Sequence, residues 1–176
     1  MSAPTAADNP FFETWATPFG VPPFALIRPG HFMPAFNRGF AEHDAEIAAI
    51  AGSAEPPSFD NTIAAYENSG RLLQRVNEVF HHLVGTDSNE ELLKLQREIA
   101  PVEAAHWNRI RMNEALFGRI DALYRQRDRL GLTPEQVRVL ERHHTGFRRQ
   151  GAALEPDRKK RLAAITERLA ELGASF

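Results

Sequence analysis

Thr133-Pro134-Glu135-Gln136 opens the stretch TPEQVRVLERHHTGFRRQG, residues 133–151, which indicates the fold most clearly. Threonine can cap a helix, proline fits the first helical position, and a glutamine three residues after the cap completes a capping box. The residues of the predicted inner face then recur every three or four positions, which is the period of an α-helix. These residues are Val137, Leu140, His144, Phe147 and Gly151.

The same helical period continues back to Pro34. We predict four earlier helices, opened by Pro34, by Ser58 or Asp60, by Glu90-Glu91 and by Asn113. Their predicted apolar faces are Phe36, Phe40, Ile47 and Ile50; Ile63, Tyr66, Gly70, Leu73, Val76, Phe80 and Leu83; Leu92, Leu95, Ile99, Val102 and Ile110; and Leu116, Phe117, Ile120, Leu123 and Tyr124. Pro101 falls inside the third of these patterns, so a kink or a split is expected near Ile99.

A last helix is predicted to begin near Glu155-Pro156-Asp157 and to carry a narrow apolar seam. The seam consists of Leu162, Ile165, Leu169, Leu172 and Phe176. The seam continues to the last residue, and no helix stop signal follows Gly173. We therefore expect the sequence to be a fragment of a longer protein. We therefore expect an exposed apolar patch near Leu169, Leu172 and Phe176, through which the chain could dimerise.

The first 34 residues differ in composition from the rest. They hold seven of the twelve prolines and six large aromatic side chains, a mixture that argues against a helix, a central strand or a disordered tail. We interpret residues 1–33 as an extended arm docked on the body; a mobile tail is the alternative. The fold class predicted is all-α, an antiparallel bundle of six or seven helices over residues 34–176 preceded by this arm.

Composition excludes several classes of function. Hydrophobic residues make up 43% and charged residues 25%, close to globular averages. The absence of cysteine excludes disulfides, thiolate zinc sites and cysteine nucleophiles. No apolar run approaches the roughly 20 residues that span a bilayer, and Met1–Pro10 does not have the pattern of a secretory signal. No membrane association is therefore expected, and a cytoplasmic location is predicted.

No catalytic, cofactor-binding or metal-binding residue can be assigned from the motifs. Two zinc-binding histidines on a helix stand three or four residues apart, whereas His81–His82 and His143–His144 are adjacent and point about 100° apart. The serines lack a nucleophile motif, and acidic pairs occur at helix starts, where the helix dipole explains them. Structural roles are favoured for the seven histidines: His31, His43, His81, His82, His106, His143 and His144.

Arginine and lysine are frequent between Arg119 and Arg161, a pattern that could suggest nucleic acid binding. Acidic residues interleave with them, and few aromatic side chains share their faces. A solvated helix face, or a surface against an acidic partner domain, fits this mixture better. No nucleic acid partner is predicted.

Several strings, in one order along nearly the whole chain, resemble the thimet oligopeptidase class of zinc metallopeptidases, and the peptidyl-dipeptidase branch in particular. They are Asn9-Pro10-Phe11-Phe12; His31-Phe32 with Pro34-Ala35-Phe36; Ser58-Phe59-Asp60-Asn61-Thr62-Ile63; Glu67-Asn68-Ser69-Gly70; Asn113-Glu114-Ala115-Leu116-Phe117; and Arg142-His143-His144. The resemblance implies the N-terminal helical region of a peptidase that uses zinc and removes C-terminal dipeptides from short peptides.

The H-E-x-x-H helix of that family has no counterpart in this sequence. The resemblance therefore implies a non-catalytic fragment that forms wall and support of a substrate channel, with the catalytic half missing and no zinc in the fragment itself. The alternative is a stand-alone helical module that binds a protein or peptide partner.

Overall fold

The computed structural model describes residues 9–175. Over these residues the chain is helical and has no β-strand, which confirms the prediction of an all-α fold. Six helices have 13 residues or more, and a seventh, α2, is a single short turn. In chain order the helices are α1 Pro29–Ala51, α2 Ala65–Glu67, α3 Arg71–Thr86, α4 Glu90–Arg111, α5 Glu114–Gln126, α6 Pro134–Arg149 and α7 Pro156–Ser175.

The chain divides into two compact units. Unit 1 consists of the described residues up to His43 together with Gly70–Ala100, and unit 2 consists of Asp44–Ser69 together with the described residues from Pro101 onward. The unit boundaries therefore fall inside α1, between Ser69 and Gly70, and inside α4.

Unit 1 is built around aromatic side chains. Phe32 lies between Phe11 and Phe80, with ring centroids 5.3 Å and 5.0 Å away, and Phe36 meets Phe80 edge-on at 5.4 Å. All four rings are almost completely buried, which gives unit 1 an interior of large apolar groups.

The N-terminal stretch is part of unit 1 and contacts the helices of that unit through Phe11, which is fully buried. Arg75 of α3 holds the backbone there: its Nη2 donates to the carbonyl of Phe11 at 2.8 Å and its Nη1 to that of Glu13 at 3.3 Å. Not all six aromatic rings of this stretch are buried, because Phe19 and Phe24 are exposed.

Helix α1 begins at Pro29, so the prediction that the helix opens at Pro34 is wrong by about one and a half turns. Proline is well suited to a first helical position. The backbone N–H of Arg28 donates to Nδ1 of His31 at 3.1 Å. A histidine side chain therefore accepts a backbone hydrogen bond at the start of this helix, where serine and threonine are the more common capping residues. Burial, and to a smaller extent the charge of Arg28, lower the pKa of His31, which favours the neutral ring able to accept this bond.

The predicted single helix from Ser58 to Leu83 is in fact two segments. Ser58 does cap a start: its Oγ accepts from the N–H of Asn61 at 3.1 Å, and Asn61 Oδ1 accepts from the N–H of Ser58 at 2.8 Å. The chain then forms a π-helical turn, Phe59–Ala64, and α2. Gly70 interrupts the pattern because it adopts a φ of +69°, in the left-handed region. A Cβ there would approach the His43 ring to 2.9 Å.

The predicted caps of the later helices are confirmed, and of the kink or split predicted at Pro101 the split is wrong. Asn113 caps α5, and Thr133 and Gln136 form the capping box of α6. Pro101 does not split its helix, because α4 continues unbroken from Glu90 to Arg111.

Unit 2 has an aliphatic core. Helices α5 and α6 pack antiparallel, since Phe117 stacks on Phe147 while Asp121, one turn further on, reaches back to His144. The buried side chains of this core are Ile47, Ile50, Ile63, Ile110, Leu116, Ile120, Leu123, Leu140, Phe147 and Ala152.

Candidate functional site

Among its described residues, unit 2 has three histidine–carboxylate pairs that could not be predicted from the sequence. The closest joins His143 Nε2 to Glu67 Oε1 at 2.5 Å. His106 Nδ1 lies 3.1 Å from Asp44 Oδ1, and the second oxygen of that carboxylate receives Arg109 Nη2 at 2.9 Å.

The third pair, His144 and Asp121, is enclosed by aromatic rings. His144 Nε2 lies 3.0 Å from Asp121 Oδ1, and the imidazole stacks on Tyr124 with centroids 3.8 Å apart. Phe117 stacks at 5.7 Å. A histidine–aspartate pair can serve as a general base when a nucleophile lies within hydrogen-bond reach. Here rings occupy the space around a buried imidazole, so the arrangement supports a structural role.

Among residues 9–175 there is no group of three or more histidine, cysteine, aspartate or glutamate side chains that could hold a metal ion. Over the same residues no helix is long and apolar enough to cross a membrane.

The arginine side chains of the stretch from Arg119 to Arg161 lie in different environments. Arg119 is buried, and its guanidinium donates to the carbonyls of Ser53 and Glu55, both at 3.0 Å, and to Asn61 Oδ1 at 2.9 Å. It therefore fastens the segment that precedes the π-helical turn to α5. Arg125 pairs with Asp121 at 2.7 Å on the surface, as expected for a solvated helix face.

Arg142, also from this stretch, lines a cavity of about 190 Å³ within unit 2. Arg111, at the end of α4, lines the same cavity. This site could not be predicted from the sequence, because the two arginines are 31 positions apart and on different helices. Their common surroundings could not be read from spacing on one helix.

Unit 1 has a larger cavity of about 390 Å³, lined partly by Phe24, Arg28, His82 and Asn89. Phe24 and His82 face each other there with ring centroids 6.2 Å apart. No cluster of catalytic groups accompanies these residues within the described part of the chain.

The apolar seam of α7 is exposed. Leu169 is 63% exposed, Leu172 49% and Ile165 47%, and they recur every three or four residues along one helix face. Two of the three residues of the predicted patch are thus confirmed as exposed; the third, Phe176, lies outside the described residues. A row of exposed leucine and isoleucine side chains is a surface that a partner could cover.

Comparison with known proteins confirms the resemblance predicted from the sequence motifs. The chain is 38% identical over 168 residues to a dipeptidyl carboxypeptidase of Escherichia coli (strain K12), a match that covers 96% of this chain and 25% of that protein. The corresponding protein of Salmonella typhimurium is 37% identical over the same length. Oligopeptidase A of Salmonella typhimurium is 23% identical over 160 residues.

The chain spans about a quarter of the length of the curated relatives that it matches, and it corresponds to their N-terminal region. Identity is higher to the dipeptidyl carboxypeptidases than to oligopeptidase A, in agreement with the branch predicted. No protein-family model matches the chain.

Proposed function

We propose that this chain is the non-catalytic N-terminal helical part of a cytoplasmic zinc metallopeptidase that removes C-terminal dipeptides from short peptides. The observation that carries the proposal is the 38% identity to a dipeptidyl carboxypeptidase over 96% of the chain. An ordered match of that length links the chain to this class of enzyme although it holds no candidate catalytic residue.

Zinc and the residues that bind it would belong to the rest of the protein, since H-E-x-x-H does not occur in this sequence. In such a site zinc polarises the scissile carbonyl and lowers the pKa of its bound water, while a glutamate accepts the proton. The role proposed for this chain is steric. Its helices would form part of the wall of a channel that admits only short, unfolded peptides.

The exposed seam of α7 supports the proposal of a missing partner. Three large apolar side chains exposed on one face favour an arrangement in which further protein covers them. We propose that the remainder of the peptidase does so, and that the isolated chain could dimerise through the same face.

The test is to purify the intact protein that the gene encodes and, separately, the 176-residue chain. Each is incubated with a short peptide carrying a free C-terminus and with the same peptide amidated, and the products are identified by mass spectrometry. The proposal expects zinc-dependent dipeptide release from the free peptide by the intact protein, none from the amidated peptide, and none by the chain alone. Cleavage by the chain alone, or an intact protein without peptidase activity, would contradict it.

The second candidate function is a stand-alone helical module that binds a protein or peptide partner, and the exposed seam of α7 also favours this. The two candidates differ in the gene. An open reading frame that continues through an H-E-x-x-H motif supports the peptidase, whereas a stop codon directly after Phe176 supports the binding module.

A further inference from the structure

A small cavity in unit 2 carries an excess of positive charge. It has a volume of about 190 Å³ and lies among the end of α4, the α2 turn and the second half of α6. The lining residues are Tyr66, Trp107, Arg111, Arg142, His143, Gly146, Phe147 and Gln150.

Neither arginine of this cavity has a carboxylate partner among the described residues. Elsewhere in unit 2, Arg109 and Arg125 form ion pairs at 2.9 Å and 2.7 Å. Within 4.0 Å of Arg111 or Arg142 there is no such carboxylate, and Arg111 instead lies over the ring of Trp107, 5.6 Å from its centroid. Glu67, which follows Tyr66 in the chain, is engaged with His143.

Both arginines line the same small cavity, Arg111 half-buried and Arg142 exposed, and an anion bound between two positive charges would be attracted by both. Arginine is also the side chain best suited to bind a carboxylate, because its planar fork can donate two parallel hydrogen bonds. The geometry thus provides the positive half of an ion pair and leaves the negative half to a ligand.

The remaining walls of the cavity are aromatic. Tyr66 meets His143 edge-on at 5.2 Å and Phe147 at 5.6 Å, and these contacts hold the phenol ring in place. The Tyr66 hydroxyl has no hydrogen-bond partner among the described residues, and the amide of Gln150 has none either. A ligand could therefore find flat apolar surface and two neutral polar groups beside the two charges.

We propose that this cavity binds a small organic carboxylate with a flat apolar body, about the size of an acylated amino acid. The carboxylate would lie between Arg111 and Arg142, and the apolar body would lie against the rings of Trp107 and Tyr66. Pockets that combine apolar walls with a few convergent polar groups are the usual form of small-molecule sites. The proposal does not depend on the peptidase function.

The experiment uses the intact protein as its gene encodes it, in low salt, with binding measured by calorimetry. The probes are N-acetyl-phenylalanine, its uncharged amide and inorganic phosphate. The variants are Arg142→Gln and Arg111→Gln. Arg148→Gln is the matched control, because it removes the same charge from α6 at an exposed position outside the cavity. Circular dichroism verifies that all variants remain folded.

We expect the carboxylate to bind at least about tenfold more tightly than its amide, and each cavity variant to weaken it by about tenfold or more while Arg148→Gln leaves it unchanged. If Arg142→Gln and Arg148→Gln weaken binding of the carboxylate equally, the effect is due to overall charge, and the proposed site is wrong. Equal affinity for acid and amide, no saturable binding, or phosphate binding as tightly as the aromatic acid would each overturn the proposal.

Discussion

Helices α6 and α7 follow each other in unit 2 and look alike in sequence, yet their apolar faces have different surroundings. Both begin with a proline and carry apolar side chains at helical spacing. In α6 the inner face, Leu140, His144 and Phe147, is buried, whereas in α7 Ile165, Leu169 and Leu172 are exposed.

The difference shows that helical periodicity identifies the apolar face of a helix but does not identify which part of the protein packs against that face. Helix α6 packs on α5 and on Tyr66. The described tethers of α7 are polar: Lys159 Nζ lies 2.6 Å from Glu114 Oε1, and Asn108 Nδ2 donates to the carbonyl of Ala163 at 3.4 Å. These contacts position the helix, while Ile165, Leu169 and Leu172 remain exposed.

The largest expected effect on the free energy of unfolding comes from replacing a leucine by alanine, once in α6 and once in α7. Leu140→Ala removes a fully buried side chain and should lower the free energy of unfolding of the 176-residue chain by about 3 kcal/mol. Leu169→Ala removes an exposed one and should change it by less than about 0.5 kcal/mol. Urea unfolding followed by circular dichroism measures both.

A loss of more than about 1 kcal/mol for Leu169→Ala in the isolated chain would mean that the seam is already covered there, as in a dimer. Sedimentation of the wild-type chain at the same concentration identifies that case. The same substitution in the intact protein should cost more, if the proposed remainder of the peptidase covers α7.

An intermediate effect is expected at Gly151, in the connection between the two helices. Its φ is +99°, and a Cβ would lie 2.7 Å from Leu162 Cδ2. Gly151→Ala should therefore destabilise the chain by about 1–2 kcal/mol. Gly146→Ala is the control, because Gly146 lies within α6 with open space around it; there alanine should stabilise by about 0.5–1 kcal/mol. Equal and small effects at both positions would contradict the strained connection.

The smallest effect concerns the pH dependence of the tether of α7. The hydrogen bond from Lys159, and then its charge, lower the pKa of Glu114 below the ordinary value of 4.5. Since the folded-state pKa is the lower one, the contribution to stability is present above pH 4.5 and is lost as the pH falls through the folded-state pKa. Glu114→Gln should abolish this part of the pH dependence in urea titrations, and the slope should be small because Glu114 is exposed. An unchanged slope in the variant would rule out the tether as its source.

The sequence predicted helices well where local chemistry closes their ends. Ser58, Asn113 and Thr133 all cap as expected, because a hydroxyl or amide oxygen reaches backbone N–H groups only two or three residues away. The predicted helix boundaries were wrong where the contact that sets them was distant in sequence or of an unusual kind. The break at Gly70 accompanies a close approach to His43, and the early start of α1 uses a histidine in place of a common cap.

The polar sites were harder to predict for the same reason. His144 and Asp121 are 23 positions apart, and Arg119 reaches backbone carbonyls more than 60 positions away. Nothing in either local pattern indicates these partners, so the sequence alone predicts that Arg119 is part of a solvated helix face.

The contact between Arg75 and the N-terminal stretch has a consequence for folding kinetics. Its two hydrogen bonds join residues 64 and 62 positions apart, so they close one of the longest loops in unit 1. Loops of that length close at a greater entropic cost than local helices, and contacts of large sequence separation slow folding. We expect docking of Phe11 to follow the transition state, in which case Arg75 affects the unfolding rate far more than the folding rate. The N-terminal stretch would then contribute chiefly to the lifetime of the folded state.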